Sequence, residues 1–139
     1  KGVMGGNVWL FCDCVETALD AGDRAVEATE GIEGAITSFD ICSAGSKPLY
    51  SGQAHPDVGP TTNHPYCPTL KGKIPDFMVP EGVGSIPEIV INGVDETAIR
   101  NAMKAAMYAA SEVQGVKRIS AGNYDGKLGK FKIFLRDLV

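Results

Sequence analysis

The sequence predicts an α+β sandwich with two helices on one face of an antiparallel sheet, and three observations predict it. A strand–helix–strand pattern occurs twice, capping residues and glycines bracket each helix, and the C-terminal segment alternates polar and apolar side chains. Two successive β-α-β units of this size give a split β-α-β, or ferredoxin-like, sandwich, here with an extra C-terminal strand. A single lobe is expected over residues 1–139, long enough to bury a real core.

In the first unit, Asn7 to Cys12 (NVWLFC) has the aromatic and apolar content of a buried strand. Asp13 with Glu16 forms a D-x-x-E capping box. Val15, Leu19 and Val26, with Ala18, Gly22 and Thr29, then recur at helical spacing as one face. Gly31 and Gly34 end that helix, and Ala35 to Ile41 follows as a strand. In the second unit Ile86 to Ile91 is a strand and Asp95 an N-cap. Ile99, Ala102, Met103, Ala106, Ala110 and Val113 make an apolar stripe, Gly115 closes the helix, and Val116 to Ser120 returns as a strand. Lys130 to Leu135 (KFKIFL) is the extra strand, with one wet face.

Helices on one side leave the other sheet face to be covered by another lobe, a partner subunit or a ligand. A lobe standing alone is therefore expected to self-associate. Cys42 to Val83, rich in Gly, Pro, Ser, Thr and Asn, is a long loop. Loops beyond about 15 residues in compact domains are functional or disordered. Tyr50, Tyr66, Cys67 and Phe77 favour an ordered, functional one.

A net charge of −4 argues against nucleic acid, whose phosphates require clustered Lys and Arg. Lys117, Arg118, Lys127, Lys130 and Lys132 alternate with apolar residues as solvent-facing strand positions. No apolar run approaches the ~20 residues of a membrane span, and the opening KGVMGGNVWL has none of the parts of a signal peptide. The expectation is a cytoplasmic chain without membrane partners. Opening at Lys1 almost directly in a strand, it looks like the second half of something longer. The four cysteines, Cys12, Cys14, Cys42 and Cys67, lack the two-residue spacing of zinc fingers and redox centres and are expected to be reduced. No tightly bound metal, flavin or nucleotide is expected.

Glu88 is the leading candidate for chemistry. Alternation in Pro87-Glu88-Ile89-Val90-Ile91 puts the isoleucines toward the helices and Glu88 on the face the helices leave open. Between apolar neighbours, desolvation pushes a carboxyl toward its neutral form, a proton donor near neutral pH. A surface glutamate on an edge strand, or one paired with a structural Lys or Arg, fits the same residues. Gly122 to Gly129 is a Gly-rich turn between strands and fits neither a Walker A loop nor a dinucleotide fingerprint. Cys67 with His64 as base makes a poor nucleophile pair, since Pro65 flanks the histidine. His64, Cys67, Cys12 and Cys14 match no zinc-ligand spacing.

Three segments resemble one family. They are Thr62-Asn63 with Tyr66-Cys67-Pro68-Thr69, then Glu88-Ile89-Val90-Ile91-Asn92-Gly93, and Ile119-Ser120-Ala121-Gly122-Asn123-Tyr124 followed by Gly126-Lys127-Leu128-Gly129. With Gly2 to Asn7 as the start of the lobe, they resemble, end to end and in order, the C-terminal, distal lobe of formylmethanofuran:tetrahydromethanopterin formyltransferases. That resemblance implies an acyltransferase of one-carbon metabolism and methanogenesis, active together with an N-terminal lobe. It implies a homo-oligomer built as a dimer of dimers, and methanofuran and tetrahydromethanopterin as carrier co-substrates. In relatives from methylotrophic bacteria it implies a larger formyltransferase/hydrolase complex. Carried over residue by residue, it makes Glu88 catalytic and Thr62, Asn63, Tyr66, Ser120, Asn123 and Lys127 substrate-binding. The chain departs from the family's S-T-N-D-A-Y-C-P-T at Thr61, His64 and Pro65, and again around Ser43 to Pro48. The rival reading is a non-catalytic ferredoxin-like lobe for assembly or small-molecule binding.

Overall fold

The computed structural model describes residues 1–45, 63–123, 126 and 129–139. Among them, β1 (Val3–Cys12), β2 (Ala35–Thr37), β3 (Cys42–Ser43), β4 (Pro87–Gly93) and β5 (Val116–Ser120) form one antiparallel sheet. The order is β2-β4-β1-β5, and β3 joins the free edge of β4 beyond β2. Since β1 and β2 both run antiparallel to β4, they are parallel to each other with β4 between them. The same holds for β4 and β5 about β1. This is the split β-α-β arrangement, with α1 (Val15–Glu30) and α2 (Glu96–Ser111) packed together on one face.

The core lies between helices and sheet. Val8, Leu10 and Cys12 point into it from β1, Ile89 and Ile91 from β4, and Ala98, Ile99, Ala102, Met103, Ala106 and Ala110 from α2. As expected, Asp95 caps α2, its carboxylate accepting from the Ala98 amide at 2.8 Å. The start of α1 differs from expectation. Its N-cap is Cys14, whose sulfur accepts from the Thr17 amide at 3.5 Å, while Asp13 accepts instead from the Thr17 hydroxyl at 2.7 Å. The Asp13 amide is already committed to the Gly115 carbonyl, which draws this residue to the mouth of β5 and delays the helix by one position.

The buried face of α1 also differs. Val15 and Leu19 are 56% and 54% exposed, while Ala18, Gly22 and Thr29 meet the core as expected, joined by Ala21 and Ala25, and Val26 packs against it partly buried. Small side chains let α1 approach closely: a Cβ on Gly22 would lie 2.6 Å from Ile41 Cδ1. Buried Thr29 satisfies its hydroxyl on the Ala25 carbonyl at 2.9 Å. Leu19→Gln should therefore change stability by no more than about 0.5 kcal/mol in urea denaturation. A loss of the ~2–5 kcal/mol typical of truncating a buried leucine would restore Leu19 to the core.

Two further expectations are corrected. Residues 130–135 form no strand: they run unpaired into a 3-10 turn at Leu135–Asp137. The alternation there is real, with Ile133, Leu135 and Leu138 against the core and Phe131 and Phe134 half exposed. It reports docking by side chains, without ladder hydrogen bonds. The predicted strand from Ala35 to Ile41 is likewise interrupted after Thr37 and resumes as β3. The open sheet face, expected to need a foreign cover, is closed at one end by the chain itself. Trp9, Phe11, Ala44 and Ile86 form a second buried cluster with Tyr66, Val79 and Val83 of the connecting segment. No helix among the described residues is long and apolar enough to cross a membrane.

Candidate active site on the open sheet face

Register aligns four side chains in one row across the open face. Cys42 pairs with Glu88, Glu88 with Trp9, and Trp9 with Ser120. Directly paired residues of antiparallel strands share a face, so the row reads Cys42, Glu88, Trp9, Ser120 at strand spacings of about 4.8 Å. Arg118 lies one row along, its guanidinium 5.4 Å from the centre of the Phe11 ring.

Glu88 is half buried at the middle of this row. The Trp9 indole nitrogen donates to its Oε1 at 2.9 Å. Its Oε2 lies 3.7 Å from Cys42 Sγ, which also sits 3.4 Å from the Glu88 backbone oxygen. Loss of solvent pushes the carboxyl above the usual carboxylate range, and the Trp9 and Cys42 hydrogen bonds only partly offset this. The Cys42 thiol is pushed up to about 12, first by burial and then by the charge on Glu88. The edge-strand and ion-pair readings of Glu88 fail here: its strand is interior to the sheet, and among the described residues its side-chain partners are an indole and a thiol.

The segment after β5 is laid against the same indole. Asn7, next along β1, donates from Nδ2 to the Gly122 carbonyl at 3.0 Å and accepts from the Gly122 amide at 2.8 Å. A Cβ on Gly122 would lie 2.6 Å from the Trp9 ring, so only glycine permits this approach. On the other side, Tyr66 sets its ring edge-on to Trp9 with centroids 5.2 Å apart, and to Phe11 at 6.1 Å.

Of the residues expected at the site, Glu88, Ser120 and Tyr66 gather around Trp9, and Asn123 directly follows the clamped Gly122. Asn63 has a holding role: its side-chain amide donates to the Ala44 carbonyl at 3.1 Å, tying the covering segment to the end of β3. Thr62 and Lys127 lie outside the described residues. The sequence reading missed Trp9, Asn7, Cys42 and Gly122. Strand parity was the available signal, since Trp9 stands one residue from Val8 and Leu10 and must face away from the helices.

His64 and Cys67 do not form a nucleophile pair. His64 Nε2 meets Asp76 Oδ2 at 2.9 Å, and Cys67 Sγ lies 3.2 Å from the Thr69 hydroxyl. The His64–Asp76 contact and the Met78 amide on the Pro65 carbonyl, at 2.8 Å, brace the covering segment. The four cysteines are free thiols. No group of three or more His, Cys, Asp or Glu among the described residues is placed to hold a metal ion.

Comparison with known proteins gives this arrangement a context. A family model described as "FTR, proximal lobe" matches residues 1–138. The formylmethanofuran–tetrahydromethanopterin formyltransferase-like protein of Archaeoglobus fulgidus is 58% identical over 139 residues, covering 100% of this chain and 45% of its own. Among solved structures, the formylmethanofuran:tetrahydromethanopterin formyltransferase from Methanosarcina barkeri superposes with a TM-score of 0.86 at 44% identity, over 99% of this chain and 46% of that one. The formyltransferase/hydrolase complex from Methylorubrum extorquens, solved with methylofuran, has a chain that superposes with a TM-score of 0.82 at 37% identity, over 97% and 44%. The chain thus spans about half the length of the relatives it matches. The lobe expected to be distal is the proximal one, because order along a chain does not determine which lobe is proximal. The protein belongs to the formylmethanofuran:tetrahydromethanopterin formyltransferase family, of which this chain is the proximal lobe.

Proposed function

We propose that this lobe, with the rest of its chain, transfers a formyl group between formylmethanofuran and N5 of tetrahydromethanopterin, with Glu88 as the acid. The observation that carries the reading is Glu88 itself: an acid held half buried on the open face, raised toward neutrality by desolvation, and gripped by an indole and a thiol. The N5 amine of the acceptor attacks the formyl carbon directly, and the carbonyl electrons move to oxygen. A neutral Glu88 donates a hydrogen bond to that oxyanion. As the bond from carbon to the methanofuran nitrogen breaks, Glu88 gives its proton to the departing amine, a poor leaving group unless protonated. The proton released by the attacking amine restores the acid. Ser120, Tyr66 and Asn123, with Thr62, Asn63 and Lys127, are proposed to shape the carrier cleft. The working form is a cytoplasmic homo-oligomer in which the remaining lobe completes the site.

The test is a formyl-transfer assay on the full-length protein with both carriers, in which formation of the N5-formyl product is expected. The A. fulgidus relative is named formyltransferase-like, which favours as second reading a carrier-binding lobe without turnover. Carrier binding with no product would select that reading.

A further inference from the structure

The two oxygens of Glu88 keep different company. Oε1 accepts the Trp9 indole N–H at 2.9 Å. An indole nitrogen has a hydrogen to give and no lone pair to offer, so in the neutral acid Oε1 is the carbonyl oxygen and the proton rests on Oε2. Oε2 faces the Cys42 sulfur at 3.7 Å, and that sulfur also lies 3.4 Å from the Glu88 backbone oxygen. A thiol has one hydrogen. It can point at the backbone oxygen while Oε2 holds the proton, and at Oε2 once the proton has left.

We propose that Trp9 and Cys42 are positioning residues that fix Oε2 as the proton-releasing oxygen of Glu88, the single thiol hydrogen turning from the Glu88 backbone to Oε2 as the proton departs. No bond to the sulfur breaks. Cys42, pushed up to about 12, keeps its hydrogen throughout. The proposal rests on reading Glu88 as the acid and adds what holds it. Among the described residues, the neighbouring elements present few other titratable groups. β1 contributes the indole, β3 the Cys42 thiol, the covering segment the Tyr66 phenol by way of its ring on Trp9, and β5 Arg118, one row away over Phe11.

The experiment is a titration of the Glu88 carboxyl in the full-length protein, followed by the carbon resonance of isotopically labelled glutamate and assigned as the signal lost in Glu88→Gln. Trp9→Phe keeps a ring in the cluster, and Cys42→Ala keeps a small apolar side chain at β3. Each removes one donor to the carboxylate and should raise the ionisation by about one unit, with the turnover profile moving alongside. Cys42→Ser supplies a one-hydrogen donor again and should bring the ionisation back to the wild-type value or below. An unchanged ionisation in either Trp9→Phe or Cys42→Ala overturns the proposal, as does Cys42→Ser behaving like Cys42→Ala. If the ionisation shifts as described while turnover stays unaffected at every pH, the positioning stands and the acid role of Glu88 falls. The two failures are thereby told apart.

Discussion

Glu88→Gln in the full-length protein is expected to lower formyl-transfer turnover by roughly 10²–10⁴-fold, the usual loss for a general acid. The fold should survive. The amide oxygen can still accept from the Trp9 indole, and the amide nitrogen can face the Cys42 sulfur, so no buried donor loses its partner. Carrier binding should persist for the same reason, which places the loss in kcat and leaves KM little changed. Glu88→Asp should recover only part of the activity, since a side chain shorter by one methylene holds its proton away from the leaving nitrogen. A Gln variant with wild-type turnover would move the acid to the other lobe.

The same variant makes a stability prediction whose sign is fixed by burial. Desolvation raises the folded-state pKa of Glu88 above its unfolded value. The folded chain therefore binds this proton more tightly than the unfolded chain. Its stabilising contribution is complete below the unfolded pKa of about 4.3 and is lost as pH rises through the folded pKa. Glutamine carries no such charge. Urea midpoints taken across that window should show Glu88→Gln gaining on the wild type as pH rises, then holding a constant lead. A lead that shrinks with rising pH would mean that the carboxylate is the stabilised form.

Why some of this was visible in the sequence and some was not follows from how each feature is encoded. The stripe on α2 is written in large residues, Ile99 and Met103 among alanines, behind an Asp95 cap, and it packs where helical period puts it. The face of α1 is written in Ala18, Ala21, Gly22 and Ala25 with Val26 partly buried beside them, while Val15 and Leu19 stand exposed. Reading by size therefore places Val26 correctly and misplaces Val15 and Leu19. Glu88 was placed on the open face by alternation within its own strand, a local property. Its contacts with Trp9 and Cys42 depend on register between strands 79 and 46 residues apart in sequence, which periodicity does not carry. The last segment shows the converse limit. Ile133 and Leu135 alternate with exposed neighbours because they dock on the core, and alternation says nothing about whether a hydrogen-bonding edge is present.

Gly45→Ala is expected to strip the cover from the site. Gly45 follows β3 and lies under the turn from Asn63 to Cys67. A Cβ there would stand 2.6 Å from the Tyr66 carbonyl carbon and 2.7 Å from the Cys67 amide nitrogen, and it would also strike the Asn63 carbonyl oxygen. All three obstacles are main chain, so no side-chain rotation relieves the clash. The turn must lift. That breaks the Asn63 bond to the Ala44 carbonyl and draws the Tyr66 ring off Trp9 and Phe11. Overpacking of this kind costs about 1–3 kcal/mol, and a backbone obstacle places Gly45 at the upper end. Water then reaches Trp9 and Glu88, so the Glu88 ionisation should fall toward the ordinary carboxylate range as desolvation weakens. Trp9 is the chain's one tryptophan, so in this lobe its emission should shift to the red. Proteolysis should open residues 63–83 before the rest of the chain. Gly31→Ala is the control: Gly31 has φ −71°, and the nearest atom to an added Cβ is 3.5 Å away. It should match the wild type in stability and emission. A Gly45→Ala protein with a wild-type midpoint and an unshifted spectrum would show that the cover does not depend on this close approach.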